Sequence, residues 1–279
     1  MGKPTAILPA VVLSLAAVAG LKLQLDGLPR AKVPGAGVVY VPSGPYVKAA
    51  SFGYSSFLAD LIYVWAIQYY GSPEVTDRFD HFGRVFGIIA DLDPRWIDPY
   101  LTAALIAHYD TGNAELALKM YDDGATRNPD QWIFPFEAGH YSQMQLKDFE
   151  RAKAYYQKAA EIPGAPDITK RLFANAAFKT MDYQTSWATW REVYETATNP
   201  EIKKIASNHL YQVKAAVDIA ALKAALTHFQ EARGRPAENL EELVSARLLT
   251  TLPTDFDGKD YVYDPKTGDV RTAVIPWKR

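Results

Sequence analysis

Four prolines, Pro94, Pro129, Pro163 and Pro200, recur at intervals of 35, 34 and 37 residues. Proline lacks the backbone N–H and its ring clashes with the preceding turn, so it cannot continue a helix interior. Each is therefore read as closing an amphipathic stretch. A rhythm near 34 residues leaves room for two helices and their turns. A unit that small cannot bury its apolar face alone and must stack on its neighbours. The chain is thereby constrained to an array of helical hairpins.

The stretch between the first two prolines shows the unit most clearly. Asp98-Pro99 supplies an N-cap and a first-turn residue, followed by apolar Tyr100, Leu101, Ala104 and Leu105. Gly112 makes the inter-helix turn, and Ala117, Tyr121 and Ala125 lie at packing positions before Pro129. The next unit repeats this with Phe149, Ala152, Tyr156 and Ala159, and the preceding one carries Phe82, Phe86 and Ile89 before Pro94. A fourth, Thr169 to Pro200, fits through Ala188, while Trp187, Trp190 and Tyr194 depart from the pattern. These spacings resemble tetratricopeptide repeats, in which small residues let helices cross closely and an aromatic fills the gap. The runs Val41-Pro42-Ser43-Gly44, Leu58-Ala59-Asp60-Leu61 and Asp91-Leu92-Asp93-Pro94 resemble the N-terminal part of a bacterial family of exported tetratricopeptide proteins. That resemblance implies architecture and export, and no activity.

At the N-terminus, Ala6 to Leu21 is an apolar run broken only by Ser14. Sixteen residues make a helix of roughly 24 Å, short of the roughly 30 Å hydrocarbon core. Continuing through Lys22 to Leu25, with Lys22 snorkelling to the interface, brings it close to full span. Residues 1–25 are expected to be a transmembrane signal anchor. The competing reading is a cleavable secretory signal with Ala17-Val18-Ala19 as its cleavage site. Lys3 on one flank and Lys22, Arg30 and Lys32 on the other leave the positive-inside rule undecided. Residues 26–47, rich in Pro, Gly and Val, read as a linker. Ala49 to Tyr70 is apolar enough to imitate a second membrane helix, but Asp60 sits in its middle. A lone carboxylate in lipid costs a few kcal/mol, so a buried first helix of the array is expected, with a membrane-embedded or interfacial helix as the alternative.

The array is expected over residues 48–215, and a separate small module over 216–279. A long helix from Glu201 to Arg233 precedes Gly234-Arg235-Pro236, a short helix about Leu240 to Val244, and then Leu252-Pro253-Thr254-Asp255-Phe256-Asp257-Gly258. Tyr261 and Tyr263, a Pro–Gly turn, and Val270, Thr272 and Val274 predict a β-hairpin. This order resembles the globular core of type II secretion pseudopilins over roughly residues 218–271, with Gly234, Pro236, Leu243, Pro253, Asp255, Gly258, Tyr261 and Tyr263 matching. Phe256-Asp257 departs from the family's Pro-Trp. No hydrophobic filament-building helix precedes the module directly, so filament assembly is not implied. The fold class expected for the whole is mainly α: a tetratricopeptide-like solenoid with an N-terminal membrane helix and a small helix-plus-hairpin module.

The chemistry the sequence offers is sparse. With no cysteine, disulfides, thiol nucleophiles, Cys-held metals and lipidation of an N-terminal cysteine are excluded. Thirty Lys and Arg against 32 Asp and Glu give a net charge of −2, which argues against a dedicated nucleic-acid binder. No phosphate-binding loop, Ser-His-Asp arrangement or His-Glu-x-x-His is present. His108 and His140, with Glu137 nearby, are the one conceivable metal set, though partly buried or groove-facing histidines explain them more simply. No metal, cofactor or catalytic residue is assigned. The aromatic load is more informative. Trp96, Tyr100, His108, Trp132, Phe136 and His140 are the candidate partner-binding residues, because tetratricopeptide grooves hold a partner's peptide or helix and aromatics dominate such interfaces. The expected function is a membrane-anchored, non-enzymatic scaffold or adaptor. It binds other proteins as a subunit or assembly factor of a membrane complex, with most of the chain on the periplasmic side of an inner membrane. An accessory factor of a type II secretion or type IV pilus machine is the alternative.

Overall fold

A computed structural model describes residues 7–26, 42–75 and 77–275. The protein is mainly helical and divides into two compact units, Met1–Pro99 and Tyr100–Arg279.

In the first unit, α1 (Ile7–Asp26) exposes Val11, Leu13, Leu15, Val18, Leu21 and Leu23, on different sides of the helix. Among the described residues no helix is long and apolar enough to cross a membrane. In α1 itself Lys22 and Gln24 interrupt the apolar run after Leu21. Residues 1–6 and 27–41, which carry the rest of the expected anchor and most of the expected linker, lie outside the described residues. The expected linker to residue 47 ends early, because α2 (Gly44–Ala50) is helical, with Pro45 in its first turn. Proline suits that position, where its missing N–H has no intrahelical partner to lose.

The core of this unit forms where α2 and α3 (Ser55–Tyr70) pack on α4 (Phe82–Leu92). Phe82, Val85, Phe86 and Ile89 recur on one stripe of α4 and are all buried, the pattern of a helix with a single apolar face. Tyr70 meets Phe82 edge-on with ring centroids 5.1 Å apart and lies near-parallel to Phe86 at 5.7 Å. The helix expected to be buried, α3, is only half so. Ala59, Ala66 and Tyr70 face inward, whereas Phe57, Leu61, Val64 and Ile67 are exposed.

The second unit begins with α5 (Asp98–Tyr109), whose first two residues precede the unit boundary. It continues through α6 (Ala114–Arg127), α7 (Ile133–Tyr141, followed by a π-helical turn Ser142–Leu146), α8 (Phe149–Glu161), α9 (Asp167–Lys179), α10 (Tyr183–Thr196) and α11 (Pro200–Arg233). From α6 to α11 each helix packs on the next, so the core is a chain of nearest-neighbour interfaces. Close crossings need small residues. A β-carbon at Gly124 of α6 would lie 2.5 Å from the Phe134 ring of α7, and one at Gly139 of α7 would lie 2.8 Å from Tyr156 of α8.

One turn recurs along this unit. Gly112, Lys147 and Met181 each adopt a left-handed conformation, with φ of 65°, 57° and 61°. Each precedes an N-cap, Asn113, Asp148 or Asp182, whose side chain accepts the backbone N–H of Leu116, Arg151 or Thr185. The cap N–H itself folds back onto the preceding helix, to the carbonyls of Ala107, Ser142 and Ala177. Caps at 113, 148 and 182 keep the spacing of the prolines, with the turn held by the Asx side chain as much as by glycine.

Pro200 departs from its expected role. It does not close a helix but opens α11, with Asn199 as N-cap accepting the Glu201 N–H at 2.8 Å. The boundary expected after residue 215 falls inside α11, which runs unbroken for 34 residues. Its first half packs on α10 through Ala206, Leu210 and Val213. Its second half, through Leu222 and Phe229, packs on α12 (Glu241–Ser245) and on a hairpin of β1 (Val262–Asp264) and β2 (Asp269–Arg271). The strands are antiparallel with Tyr263 opposite Val270, shorter than the alternation to Val274 implies. Tyr261 and Val270 are buried with Leu243 beneath the hairpin.

Candidate functional site

The six candidate groove residues do not form one site. Trp96 follows α4 in the first unit and meets Tyr63 of α3 edge-on at 4.7 Å. Tyr100, expected in the groove, is instead buried: it is 5% exposed and abuts the buried ring of Phe134 at 5.4 Å. Its place on the inward stripe of α5 makes it core. His108 is half-buried and tied to its own unit, its Nδ1 sharing a hydrogen bond of 3.0 Å with the Tyr141 hydroxyl.

Trp132, Phe136 and His140 do come together. They stand four residues apart, one above the other along α7 and its N-cap. Trp132 meets Phe136 edge-on at 5.6 Å, and Phe136 lies near-parallel to the His140 imidazole at 6.5 Å. Phe136 is seated on the cluster of Ala152, Tyr156 and Ala176, which fixes the row, while His140 at its end is exposed. Beside the row, burial holds the Glu137 carboxyl above the usual carboxylate range, against the pull of His140. Its charge in turn adds to the effect of burial in raising Tyr121, to about 12. Among the described residues no group of three or more His, Cys, Asp or Glu side chains is placed to hold a metal ion. His108, Glu137 and His140 therefore do not make the metal set that their spacing suggested.

Two features escaped the sequence reading. Between α10 and α11 runs a groove of about 560 Å³ lined by Tyr183, Trp187, Val213 and Val217, with Arg191 and Lys214 at its edges. The departure of Trp187 from the repeat pattern was its only signal. Beneath it, the fully buried Trp190 stacks on His209 with centroids 4.0 Å apart. Burial lowers the His209 pKa to about 4, with a hydrogen bond to Gln212 opposing. An unfolded histidine titrates near 6.5. Above that pH both states hold it neutral and its contribution is full. As pH falls from 6.5 to about 4 the unfolded chain takes up a proton that the folded one refuses, and stability declines. His209→Gln is expected to flatten that decline, read as the midpoint of thermal unfolding against pH.

A scan against protein-family models and a search of curated proteins both found nothing that matches this chain.

Proposed function

We propose that this protein is a membrane-tethered, non-enzymatic scaffold that holds partner proteins on a tetratricopeptide-like helical array, as a subunit or assembly factor of a membrane complex. The observation that carries this reading is the turn repeated at 112–113, 147–148 and 181–182, each with a left-handed residue, an Asx cap and a back-folded N–H. A unit repeated with its turn intact stacks into an array, and arrays of this kind serve as extended binding surfaces. The row Trp132, Phe136 and His140 supplies the aromatic anchors that such a surface needs. The proposed tether is α1, whose exposed apolar side chains from Val11 to Leu21 are stabilised where their surroundings are apolar too. The side proposed for the bulk of the chain is the periplasmic face of an inner membrane, on the resemblance of its N-terminal part to exported tetratricopeptide proteins.

In membranes solubilised with a mild detergent, the protein is expected to co-purify with at least one membrane protein in comparable amount. Trp132→Ala with His140→Ala is expected to lose that partner while the helical circular dichroism is retained. A protein that migrates alone, with nothing cross-linked to it, contradicts the proposal. The helix, turn, short helix and hairpin of residues 218–271 favour a second reading, an accessory factor of a type II secretion or type IV pilus machine. Unchanged secretion and piliation on loss of residues 218–279 removes it.

A further inference from the structure

Among the described residues, the first unit leaves an apolar helix face exposed. On α3, Phe57, Leu61 and Val64 recur at i, i+4 and i+7 with Ile67 one turn on, and all four are exposed, Phe57 at 61% and Val64 at 54%. The opposite side of the helix, Ala59, Ala66 and Tyr70, is the buried one. The loop before α3 exposes apolar side chains as well. Phe52 is 90% exposed and Tyr54 72%. Phe52 holds φ at 51°, a left-handed conformation that is strained for a residue with a β-carbon. A strained turn that presents an aromatic ring to solvent is a feature of binding loops, and a contiguous apolar patch of this kind marks a surface that something covers.

We infer that this face, from Phe52 to Ile67, rests on the lipid surface, so that the first unit touches the membrane a second time; the inference rests on the reading of α1 as the membrane tether. Three observations select lipid as the occupant. First, the aromatics at the near end, Phe52, Tyr54 and Phe57, with Tyr46 of α2 also exposed, have the character of side chains that settle at headgroup level, with the tyrosines offering a wet hydroxyl on an apolar body. Second, the exposed polar groups among the apolar side chains of α3 are Ser56, Asp60 and Gln68, not the interspersed charges of both signs that give a protein surface its specificity. Asp60 also sets the depth. A carboxylate is costly in hydrocarbon but stays hydrated at the interface, so the helix lies in the interfacial plane. Third, residues 27–43 join α1 to α2. Seventeen residues reach at most about 60 Å, which keeps α2 and α3 within range of any bilayer that holds α1.

The chain has no cysteine, so single cysteines can carry a nitroxide label without background. The full-length chain is labelled at Phe52→Cys, Val64→Cys, Leu15→Cys or, as a control, Glu231→Cys. Each variant is reconstituted into vesicles of phosphatidylethanolamine and phosphatidylglycerol after its circular dichroism matches the parent. Collisions with oxygen, which concentrates in lipid, are compared with those of a water-soluble nickel chelate. Labels at 52 and 64 are expected to lose nickel relaxation and keep oxygen relaxation, as the label at 15 does, with 231 showing the reverse. Lipid contact at 15 with nickel access at 52 and 64 overturns this inference and leaves the tether. Nickel access at 15 overturns the tether and, with it, the second membrane contact inferred here. Shielding of 52 and 64 from both reagents means that protein covers the face, and overturns the assignment to lipid.

Discussion

Trp190→Ala is expected to lower stability by about 3–5 kcal/mol, the usual cost of emptying a buried tryptophan site. The indole is fully buried among Ala174, Val193, Ala206, Leu210 and Val213 and stacks on His209. It thus links α10 to the first half of α11. For a chain of this size each kcal/mol moves the thermal midpoint by roughly 2–4 °C, so the loss is readily seen by calorimetry or circular dichroism. Trp190→Phe separates packing from polarity. The indole N–H is buried without a hydrogen-bond partner among the described residues, and such a donor carries a desolvation cost of about 1–3 kcal/mol. Phenylalanine removes that donor and keeps most of the volume, so its destabilisation is expected to be much the smaller. Equal losses for the two variants contradict the packing role. A second readout follows from the same contact: with the indole gone, His209 meets water and the decline in stability between pH 6.5 and 4 is expected to fade.

The second large effect is expected at Asp255, which is 3% exposed. Its carboxylate accepts the Tyr211 hydroxyl at 2.8 Å and the backbone N–H groups of Asp257 and Lys259 at 2.9 and 2.8 Å. Burial opposes its ionisation, but the hydrogen bonds from Lys259, Tyr211 and Asp257 outweigh that and hold its pKa below the ordinary value. Asp255→Ala leaves three donors to rearrange, and a hydrogen bond to a charged group contributes about 1.5–3 kcal/mol. A loss of at least one such bond is expected in urea unfolding. Asp255→Asn is the informative contrast. Its amide oxygen can keep both backbone N–H groups, and its amide nitrogen can donate to the Tyr211 oxygen, which has the Val274 carbonyl at 3.1 Å for its own proton. The asparagine variant is therefore expected to be milder and to lack one pH effect. A depressed folded pKa gives stability that is present above the unfolded value near 3.9 and is lost as pH falls through the folded one. That window lies below the His209 decline, so the two are separable in one titration.

Much of the helical array was legible because its markers are local. Gly112, the alanines at 117, 152 and 159 and the prolines at 129 and 163 announce turns, close crossings and helix ends within a few residues of themselves. Pro200 was misread because the same residue stops one helix or starts another. The neighbouring Asn199 and Glu201, an N-cap and a first-turn acid, were the signal that it starts one. The recurring caps at 113, 148 and 182 were equally visible in the sequence, but a left-handed Lys147 or Met181 before them was not. Tyr100 was misplaced for a different reason. Helical spacing gives the stripe on which a residue lies, not the neighbour that covers it, and Phe134 lies more than thirty residues away. Trp190 on His209 and Asp255 beneath Tyr211 are long-range pairings of the same kind. In α3 hydrophobicity alone suggested burial, although Ala59, Ala66 and Tyr70 are buried while Phe57, Leu61, Val64 and Ile67 are exposed.

The scaffold proposal meets its most direct test at His140, the exposed end of the aromatic row. A photo-cross-linking amino acid placed there in the full-length protein, in native membranes, is expected to form an adduct with the same membrane protein that co-purifies in mild detergent. The same probe at Lys158 on α8 is expected to form none. No adduct at position 140, or equal adducts at 140 and 158, would contradict a scaffold that presents this row to its partner.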